Sequence, residues 1–443
     1  MDRHAWKQVG CVLLVALAVR LGAAALWHHW AEGRFFFGDS ESYWQLGRAI
    51  ARCDDYRFAP DGLDARVFRT PGYPLLLAPL FLIGGDEPPL FWARIQGAVV
   101  GTLVVGAACC LAWKLFGRWA GLAAGLAAAV YPGAVATSPM VLTETPFSLL
   151  MVLQLCAWCA AWRGTSGTRA VWLGLATGAA AGAAVLVRPS WLLFTPGVVA
   201  LVWAAQCLGL GRKSGSGRVK STVPGERSRW NEPAVGMAVL AAMLVVLAPW
   251  WIRNWRVTGY FVPTTLQVGA SLYDGISPQA TGASDMVFVE GFVDEERRRD
   301  ADPVPFEVRL DRRMRREAVE WAKQHPGRVA HLAAVKFVRM WNVWPNEPQL
   351  SSWPVRLIVA GTYVPIMVLA LAGAWRTFRL GWPYVLCWLP AVYFTLLHMV
   401  FVSSIRYREP AMLALIVLAA GAVFPCTTEP QPEQEARKPF SSG

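Results

Sequence analysis

Charged residues are scarce in this sequence. Only 16% of its 443 residues are Asp, Glu, Lys or Arg, and 55% are hydrophobic, whereas an ordinary soluble domain carries about 25% charged residues. Apolar runs of about 18 residues or more recur along the chain, and each is long enough to cross a hydrocarbon core of about 30 Å. The composition therefore excludes a soluble protein and predicts an all-α polytopic membrane protein.

A disulfide framework and a metal-ligand cluster are also missing. Most of the nine cysteines fall inside apolar runs and only Cys53 lies in an outer loop, so no disulfide framework is predicted. Cys156 and Cys159 form a CxxC pair within an apolar run, and we interpret them as packing residues rather than metal ligands. The sequence does not require a divalent metal, and whether the protein uses a cofactor stays open.

Ten membrane spans are predicted from the apolar runs. They lie near 9–31, 89–113, 119–137, 145–162, 170–187, 190–208, 234–252, 355–374, 382–402 and 410–425. The first is expected to be a retained span, because no convincing small-residue cleavage site follows it. The apolar segment 71–84 carries three prolines and is too short to cross, so it predicts a re-entrant or juxtamembrane element in the first outer loop.

The basic residues orient these spans. The net charge is +12, but the chain lacks the basic soluble face with exposed aromatic residues that nucleic-acid binding needs. The positive-inside rule explains the excess, because most basic residues fall on one side, which we predict to be cytoplasmic. They are Arg3, Lys7, Lys114, Arg118, Arg163, Arg169, Arg376 and Arg379, with further basic residues in the 209–233 linker.

The spans and their connections define one transmembrane domain over residues 1–425. It includes a first outer loop at 32–88 and a large outer loop at 253–354. The Gly-, Ser- and Arg-rich linker at 209–233 and the Pro- and Glu-rich tail at 426–443 are predicted to be disordered and cytoplasmic.

Two helices are predicted inside the large outer loop. Residues 306–324 are dense in charge pairs and predict a surface helix. Residues 328–344 predict an amphipathic helix whose polar face includes His331, Lys336 and Arg339. This second helix is expected to lie on the bilayer, to form a lid over an acceptor channel, or to do both.

Three carboxylates lie at the outer boundary of the spans. Asp39 and Glu41 follow the first span, and Glu144 lies at the outer end of another. An acid at membrane depth is costly and indicates a functional role. The structural alternatives are that Asp39 is the N-cap of a helix, that Glu41 compensates the dipole of that helix, and that Glu144 faces water or caps a helix begun by Thr143.

Five arginines occupy outer positions at the membrane boundary. Snorkelling towards lipid head groups explains any one of them but explains five less well. Guanidinium groups bind phosphate oxygens bidentately, so the set predicts a site for a phosphate-bearing lipid whose head faces the carboxylates. The five are Arg69, Arg188, Arg253, Arg406 and Arg408.

Seven stretches carry a resemblance to a known type of enzyme. In chain order they are GDSESYWQLGRAIA, RTPGYPLLLAPLF, YPGAVATSPMVLTETPF, VRPSWLLFTP, APWWIRNWRVTGYFVPTT, HPGRVAHLAAVKFVRMW and RYREPAMLAL. The ordered set spans most of residues 1–420. It resembles the membrane glycosyltransferases of the GT-C type, in particular the family 39-like group of protein O-mannosyltransferases and aminoarabinose transferases. The resemblance implies a GT-C-like transmembrane helix bundle.

The resemblance also implies roles for individual residues. Asp39 corresponds to the first-loop acid that such enzymes use as the catalytic base, and Glu144 looks like the second acid. Arg69 and Tyr73 are similar to the basic-proline-tyrosine stretch that leads into the re-entrant element.

The comparison with the family pattern extends to Arg406 and Arg408, to Glu41 and to His398. Arg406 and Arg408 resemble a clamp for the carrier phosphate. Ser40 separates Asp39 from Glu41, whereas the family pattern often places two acids side by side, which weakens Glu41 as a substrate-binding residue. His398 lies near the outer end of its span, where a lone histidine is more often a packing residue than a partner of an acid.

Together these residues predict a hexosyl- or pentosyltransferase. It would move a sugar from a polyprenyl-phosphate donor to a hydroxyl of a lipid, glycan or protein acceptor, inverting the anomeric carbon with Asp39 as general base. Membrane lipids would surround it in a bacterial inner membrane, with the active site facing the periplasm or exterior. The alternatives are a flippase for lipid-linked saccharides, which predicts mid-span acids and repeat symmetry, and a non-catalytic scaffold subunit.

Overall fold

The computed structural model describes residues 3–59, 64–162, 167–208, 231–299, 303–345 and 352–425. Within these ranges the chain forms seventeen α-helices, and an isolated β-bridge joins Phe58 to Ala65. The helices are α1 (Arg3–Trp30), α2 (Gly38–Ala51), α3 (Gly72–Gly84), α4 (Leu90–Phe116), α5 (Arg118–Val130), α6 (Pro132–Thr137), α7 (Glu144–Trp162), α8 (Gly167–Val187), α9 (Phe194–Cys207), α10 (Asn231–Thr258), α11 (Val268–Gly275), α12 (Phe288–Arg297), α13 (Phe306–Gln324), α14 (Pro326–Trp341), α15 (Trp353–Phe378), α16 (Val385–Val400) and α17 (Glu409–Val423). The predicted all-α fold is confirmed.

Each of the ten predicted spans corresponds to helical structure. Among the described residues, seven helical segments are long and apolar enough to cross a membrane, and they comprise α1, α4, α7, α8, α10, α15 and α9 with the short turn before it. Helices α5, α16 and α17 are shorter, with 13, 16 and 15 residues. The predicted span near 119–137 consists of two helices, because the chain breaks between α5 and α6 at Pro132, which has no N–H to continue the helix.

The two predicted outer loops are themselves helical. The first contains α2 and α3, and α3 occupies the predicted 71–84 element, where it packs against α2 and α8. The second contains α11 to α14, although α10 continues to Thr258 before it begins. The predicted tail at 426–443 and residues 209–230 of the predicted linker lie outside the described residues.

Helix α17 lies at the centre of the bundle. Every residue from Glu409 to Ala422 is buried, in contact with α15, α16, α5, α4 and α7. A helix that is apolar on all sides is stable only when other elements surround it. The chain that enters α17 is therefore fixed against the ends of several neighbouring helices.

The connections at one end of the bundle carry the acids, and the other end carries basic residues. Four connections of the chain meet at the first end, where ion pairs join residues in or next to them. They are the α1–α2, α6–α7, α8–α9 and α16–α17 connections. At the opposite end Arg118 donates to Gln8 at 2.7 Å, and Arg376 donates to the carbonyl of Ala422 at 2.6 Å. Arg118 and Arg376 thus lie at the end of the bundle opposite the ion pairs.

Helices α8 and α10 pack with their backbones in close contact. Gly174, Gly178 and Gly182 repeat every four residues and so share one face of α8. A Cβ at Gly178 would overlap the carbonyl oxygen of Val239, and one at Gly182 would lie 2.7 Å from the Cβ of Val246. Small residues at this spacing let membrane helices approach each other closely.

Gly178→Val is expected to lower the free energy of unfolding by about 1–3 kcal/mol, because the added side chain must push the two helices apart. Thermal unfolding of the purified protein in detergent measures the loss. Gly197→Val in α9 is the matched control, since a Cβ there meets no atom within 4 Å. Equal losses in the two variants would show that close α8–α10 packing does not stabilise the bundle.

Candidate active site

Two carboxylates and three guanidinium groups meet at one end of the bundle. We call this set, Asp39, Glu144, Arg69, Arg188 and Arg406, the acid–arginine cluster. Arg406 bridges the two acids, with Nη2 3.3 Å from Asp39 Oδ2 and Nε 2.9 Å from Glu144 Oε1. Arg69 Nη2 lies 2.6 Å from Asp39 Oδ1, and Arg188 Nη1 lies 3.1 Å from Glu144 Oε1. Residues from distant parts of the chain therefore form one ion-pair network.

Asp39 lies in the first turn of α2 and not at its N-cap. The N-cap is Phe37, which gives no side-chain hydrogen bond, so the N-cap interpretation of Asp39 is wrong. Its side chain is 38% exposed and is held by the two arginines. Burial acts to raise the pKa of the Asp39 carboxyl, but the guanidinium groups of Arg69 and Arg406 outweigh it and keep that pKa below its usual range.

Arg69 is the first residue of the RTPGYP stretch, and hydrogen bonds to two other parts of the chain fix its side chain. Its Nε donates to Ser42 Oγ at 3.1 Å and its Nη1 to Gln267 Oε1 at 2.9 Å, so it also joins α2 to the large outer loop. A Cβ at Gly72 would lie 2.6 Å from the carbonyl of Leu186, so only glycine allows α3 to begin against the end of α8. This contact brings the Arg69 loop to the connection that carries Arg188.

Tyr73 is buried beside the cluster. It is 5% exposed and packs edge-to-face against Tyr43 at 5.3 Å between ring centroids. Tyr43 in turn contacts the Arg69 guanidinium, which lies 5.0 Å from its ring centroid. Tyr73 therefore supports Arg69 through an aromatic contact.

Glu144 is the first residue of α7 and is 2% exposed, so the alternative in which it faces water is wrong. Its negative charge is balanced by Arg188 and Arg406. An unpaired charge at such depth would cost several kcal/mol, and this cost explains why two guanidinium groups converge on one carboxylate.

A cavity of about 620 Å³ opens beside the cluster. Asp39, Arg69, Arg188 and Arg406 form its charged wall, and Glu144 lies behind the arginines, outside the lining. Apart from three charged residues of α13, the remaining wall is largely apolar. It is formed by residues 260–268 together with Leu192, Leu193, Tyr393, Leu397, Phe401 and Val402. The cavity can thus receive a ligand with an anionic group joined to an apolar chain.

Helix α13 covers the cavity, with Asp311, Arg312 and Arg315 in its wall. Asp311 Oδ1 accepts a hydrogen bond from the Gly269 amide at 2.6 Å, which fixes the helix above residues 260–268. The alternative in which the 328–344 helix forms the lid is wrong for the described residues, because α14 packs against α16 and does not line the cavity.

Besides Tyr73, three predicted binding residues lie outside the cavity. Glu41 is exposed and accepts a hydrogen bond from Gln45 of its own helix at 3.0 Å. Arg253 donates to the backbone carbonyl of Tyr56 at 2.8 Å, and Arg408 is 1% exposed and bonded to the end of α14. Each of these three side chains has a partner within the fold and none lines the cavity, so the arrangement does not offer them to a ligand.

The cavity also contains residues that the sequence did not single out as ligands. Gln267 and Tyr407 line it, and His398, expected to be a packing residue, stacks on Tyr407 with 4.5 Å between ring centroids. Tyr407 has a signal in the sequence, because it lies between two predicted arginines. Gln267 has none, since it is a single polar residue in a loop of about 100 residues.

Groups of three or more His, Cys, Asp or Glu residues that could hold a metal ion do not occur within the described ranges. Asp39 and Glu144 are each engaged by two guanidinium groups. The charge balance of the cluster therefore comes from arginines, and metal use stays open.

Part of the chain matches a known protein family. Residues 69–211 match the model of the dolichyl-phosphate-mannose-protein mannosyltransferase family. This region contains Arg69, Tyr73, Glu144 and Arg188, but it covers less than half of the sequence. No curated protein sequence matches the chain.

Solved structures match almost the whole chain. The apo oligosaccharyltransferase of Archaeoglobus fulgidus is 14% identical with a TM-score of 0.58, over 94% of this chain and 50% of that one. The same enzyme, AglB, with an inhibitory peptide and a dolichol-phosphate is 15% identical with a TM-score of 0.57, over 95% and 51%. ArnT from Cupriavidus metallidurans bound to undecaprenyl phosphate gives 17% identity and a TM-score of 0.45, over 96% and 78%.

The chain spans about half the length of the archaeal oligosaccharyltransferase. At these identities the likeness shows the fold and not the substrates. The fold match and the family match together confirm the resemblance that the sequence motifs carry: this chain has the fold of the GT-C type membrane glycosyltransferases.

Proposed function

We propose that this protein is a glycosyltransferase that moves a sugar from a polyprenyl-phosphate donor to a hydroxyl acceptor. The observation that carries the proposal is the acid–arginine cluster at the charged wall of a cavity whose other walls are largely apolar. An amphiphile with a phosphate head and a prenyl chain matches both kinds of wall. The family match and the fold support the same reaction class.

The charge of the cluster favours an anionic link in the donor, such as a phosphate diester. Arg69, Arg188 and Arg406 supply three positive charges against the two negative charges of Asp39 and Glu144, which leaves a surplus of one. A sugar–phosphate–prenyl diester carries one negative charge and would neutralise this surplus. Bidentate contact with guanidinium groups would also fix its orientation.

Asp39 is the proposed general base. It is the carboxylate of the cluster that lines the cavity, whereas Glu144 is buried behind the arginines. The guanidinium groups that lower its pKa keep it ionised but make it a weak base. When the donor phosphate takes over contacts with Arg69 and Arg406, the Asp39 carboxylate is released and its basicity rises.

The proposed reaction is a single displacement. Asp39 removes the proton from the acceptor hydroxyl, and the hydroxyl oxygen forms a bond to the anomeric carbon. The bond from that carbon to the phosphate oxygen breaks, and polyprenyl phosphate leaves with the electron pair. Arg69 and Arg406 stabilise the negative charge that grows on the phosphate. Attack from the face opposite the leaving group inverts the anomeric carbon.

Glu144 is proposed to act by holding Arg188 and Arg406 at the cavity wall. The acceptor, whether lipid, glycan or protein, is proposed to reach the cavity beneath α13. Because basic residues such as Arg118 and Arg376 lie at the other end of the bundle, we place the cavity on the extracytoplasmic side, facing the periplasm of a bacterial inner membrane.

Arg406→Gln is expected to weaken binding of undecaprenyl phosphate by about 10- to 100-fold, because it removes a charge-assisted contact worth about 1.5–3 kcal/mol. Titration of the lipid into protein in nanodiscs, followed by native mass spectrometry, measures the affinity. Arg34→Gln is the matched control, since the Arg34 side chain is 81% exposed and lies outside the cavity. A wild-type protein that does not bind the lipid, or equal affinity in both variants, would reject the phosphate site.

Asp39→Asn is expected to lower the rate of transfer by about 10²- to 10⁴-fold, because the amide cannot accept the hydroxyl proton. The measurement is the release of free polyprenyl phosphate from lipid-linked sugars of the source membranes, followed by mass spectrometry. Binding of undecaprenyl phosphate should persist in the variant. Asp86→Asn, at an exposed position in the same outer loop, should keep full activity. An active Asp39→Asn enzyme would remove Asp39 from the mechanism.

A further inference from the structure

Lys336 is buried although it belongs to an amphipathic surface helix. Only 1% of this α14 residue is exposed, which contradicts its predicted place on the polar face. Its Nζ donates to the carbonyl of Val400 at 2.7 Å and to that of Met399 at 3.3 Å. Within the described residues its ammonium group forms no ion pair, so backbone oxygens hold it.

These two carbonyls belong to the last turn of α16. The last carbonyls of a helix have no partner within the helix and carry the negative end of its dipole, so a cation there is favourable. Burial lowers the pKa of the Lys336 amine to about 8, which is consistent with a group that has lost most of its water. Lys336 therefore caps α16 from another helix.

Further bonds from α14 hold the residues that follow α16. Ser403 Oγ donates to the carbonyl of Lys336 at 2.8 Å, and the Ser403 amide donates to the carbonyl of Gly282 at 3.0 Å. The path on which the chain leaves α16 is therefore fixed by hydrogen bonds to α14 and to the connection between α11 and α12.

Helix α14 also holds the other end of the 399–408 segment, next to α17. Arg408 Nη1 donates to the carbonyls of Met340 and Asn342, at 3.0 and 2.6 Å. Its guanidinium lies 3.9 Å from the ring centroid of Tyr363, whose hydroxyl donates to the carbonyl of Trp341 at 3.2 Å. Both anchors of residues 399–408 thus lie on or beside α14.

Arg406 lies between these anchors. Its guanidinium must reach Asp39 and Glu144 at the same time, and its backbone amide is 3.4 Å from Ser404 Oγ. A long side chain on a free loop would lose conformational entropy in taking that position, whereas a fixed backbone removes part of this cost.

We propose that Lys336 is a positioning residue of the active site. It fixes the 399–408 segment and thereby holds the Arg406 guanidinium in position to bind the donor phosphate. The proposal rests on the phosphate role of Arg406 in the proposed function. Arg408 contributes the second anchor of the same segment. Neither residue lines the cavity, so both act through Arg406 and not by contact with the ligand.

Lys336→Met is expected to weaken binding of undecaprenyl phosphate by about tenfold, because it leaves the α16 carbonyls unsatisfied and loosens the Arg406 segment. Lys336→Arg, which restores a cation, should recover at least part of the affinity. Lys323→Met is the matched control, because Lys323 is exposed on the neighbouring α13. An unchanged affinity in folded Lys336→Met would overturn the proposal. Ser403→Ala removes a single bond to α14 and gives a milder second test if Lys336→Met does not fold.

A double-mutant cycle separates positioning from a general loss of structure. If Lys336 acts through Arg406, Lys336→Met should cause little further loss of affinity in an Arg406→Gln protein. If the two reductions multiply instead, the effects are independent and the positioning role is wrong.

Hydrogen–deuterium exchange tests the same idea without any ligand. Lys336→Met should speed exchange in peptides covering 401–408, with α17 unchanged, and Lys323→Met should change neither. Unaltered exchange in 401–408 would overturn the positioning role. If exchange changes as expected but wild-type protein fails to bind undecaprenyl phosphate, the proposed function fails and the anchoring by Lys336 stands.

Discussion

The shared guanidinium of Arg406 is the interaction on which the site depends. It pairs with Asp39 from α2 and with Glu144 from α7, and it comes from the turn before α17. Glu144 is almost fully buried, so its charge needs compensation from within the protein. This need ties three helix ends together and places Asp39 beside the arginines. The result is a cluster at the cavity wall in which cations outnumber anions by one.

The bundle determines where such a network can form. Helix α17 is surrounded on all sides, and α8 packs backbone to backbone against α10. Rigid helices of this kind end at defined positions, so the short connections between them bring Arg188 and Arg406 to fixed points. The outer helices then close the space from above, with α13 over the cavity and α14 against the Arg406 segment. A charged wall next to an apolar one follows from this arrangement.

Much of the fold and the five residues of the acid–arginine cluster could be predicted from the sequence. The spans follow from apolar length, and Asp39, Glu144, Arg69, Arg188 and Arg406 stand out because charges at these boundaries are costly or disfavoured. The same reasoning selected Arg253 and Arg408, which lie elsewhere. Their partners are backbone carbonyls, and every residue has a carbonyl, so no sequence pattern distinguishes these arginines from those of the cavity.

Tertiary contacts also explain the remaining errors. Amphipathic patterning placed Lys336 on a solvated face, but the end of α16 packs there and accepts its hydrogen bonds. Patterning also could not decide between the helices at 306–324 and 328–344 as the cover of the cavity, because both have polar and apolar faces. Which face meets which neighbour depends on contacts distant in sequence, such as that of Asp311 with Gly269.

The most direct measurement is a cryo-EM structure of the protein in nanodiscs with undecaprenyl phosphate bound. The account predicts phosphate density within hydrogen-bond distance of Arg69 and Arg406, with the Asp39 carboxylate released into the cavity and the prenyl chain along residues 260–268. Phosphate density away from these arginines, with the ion pairs of Asp39 intact, would contradict it.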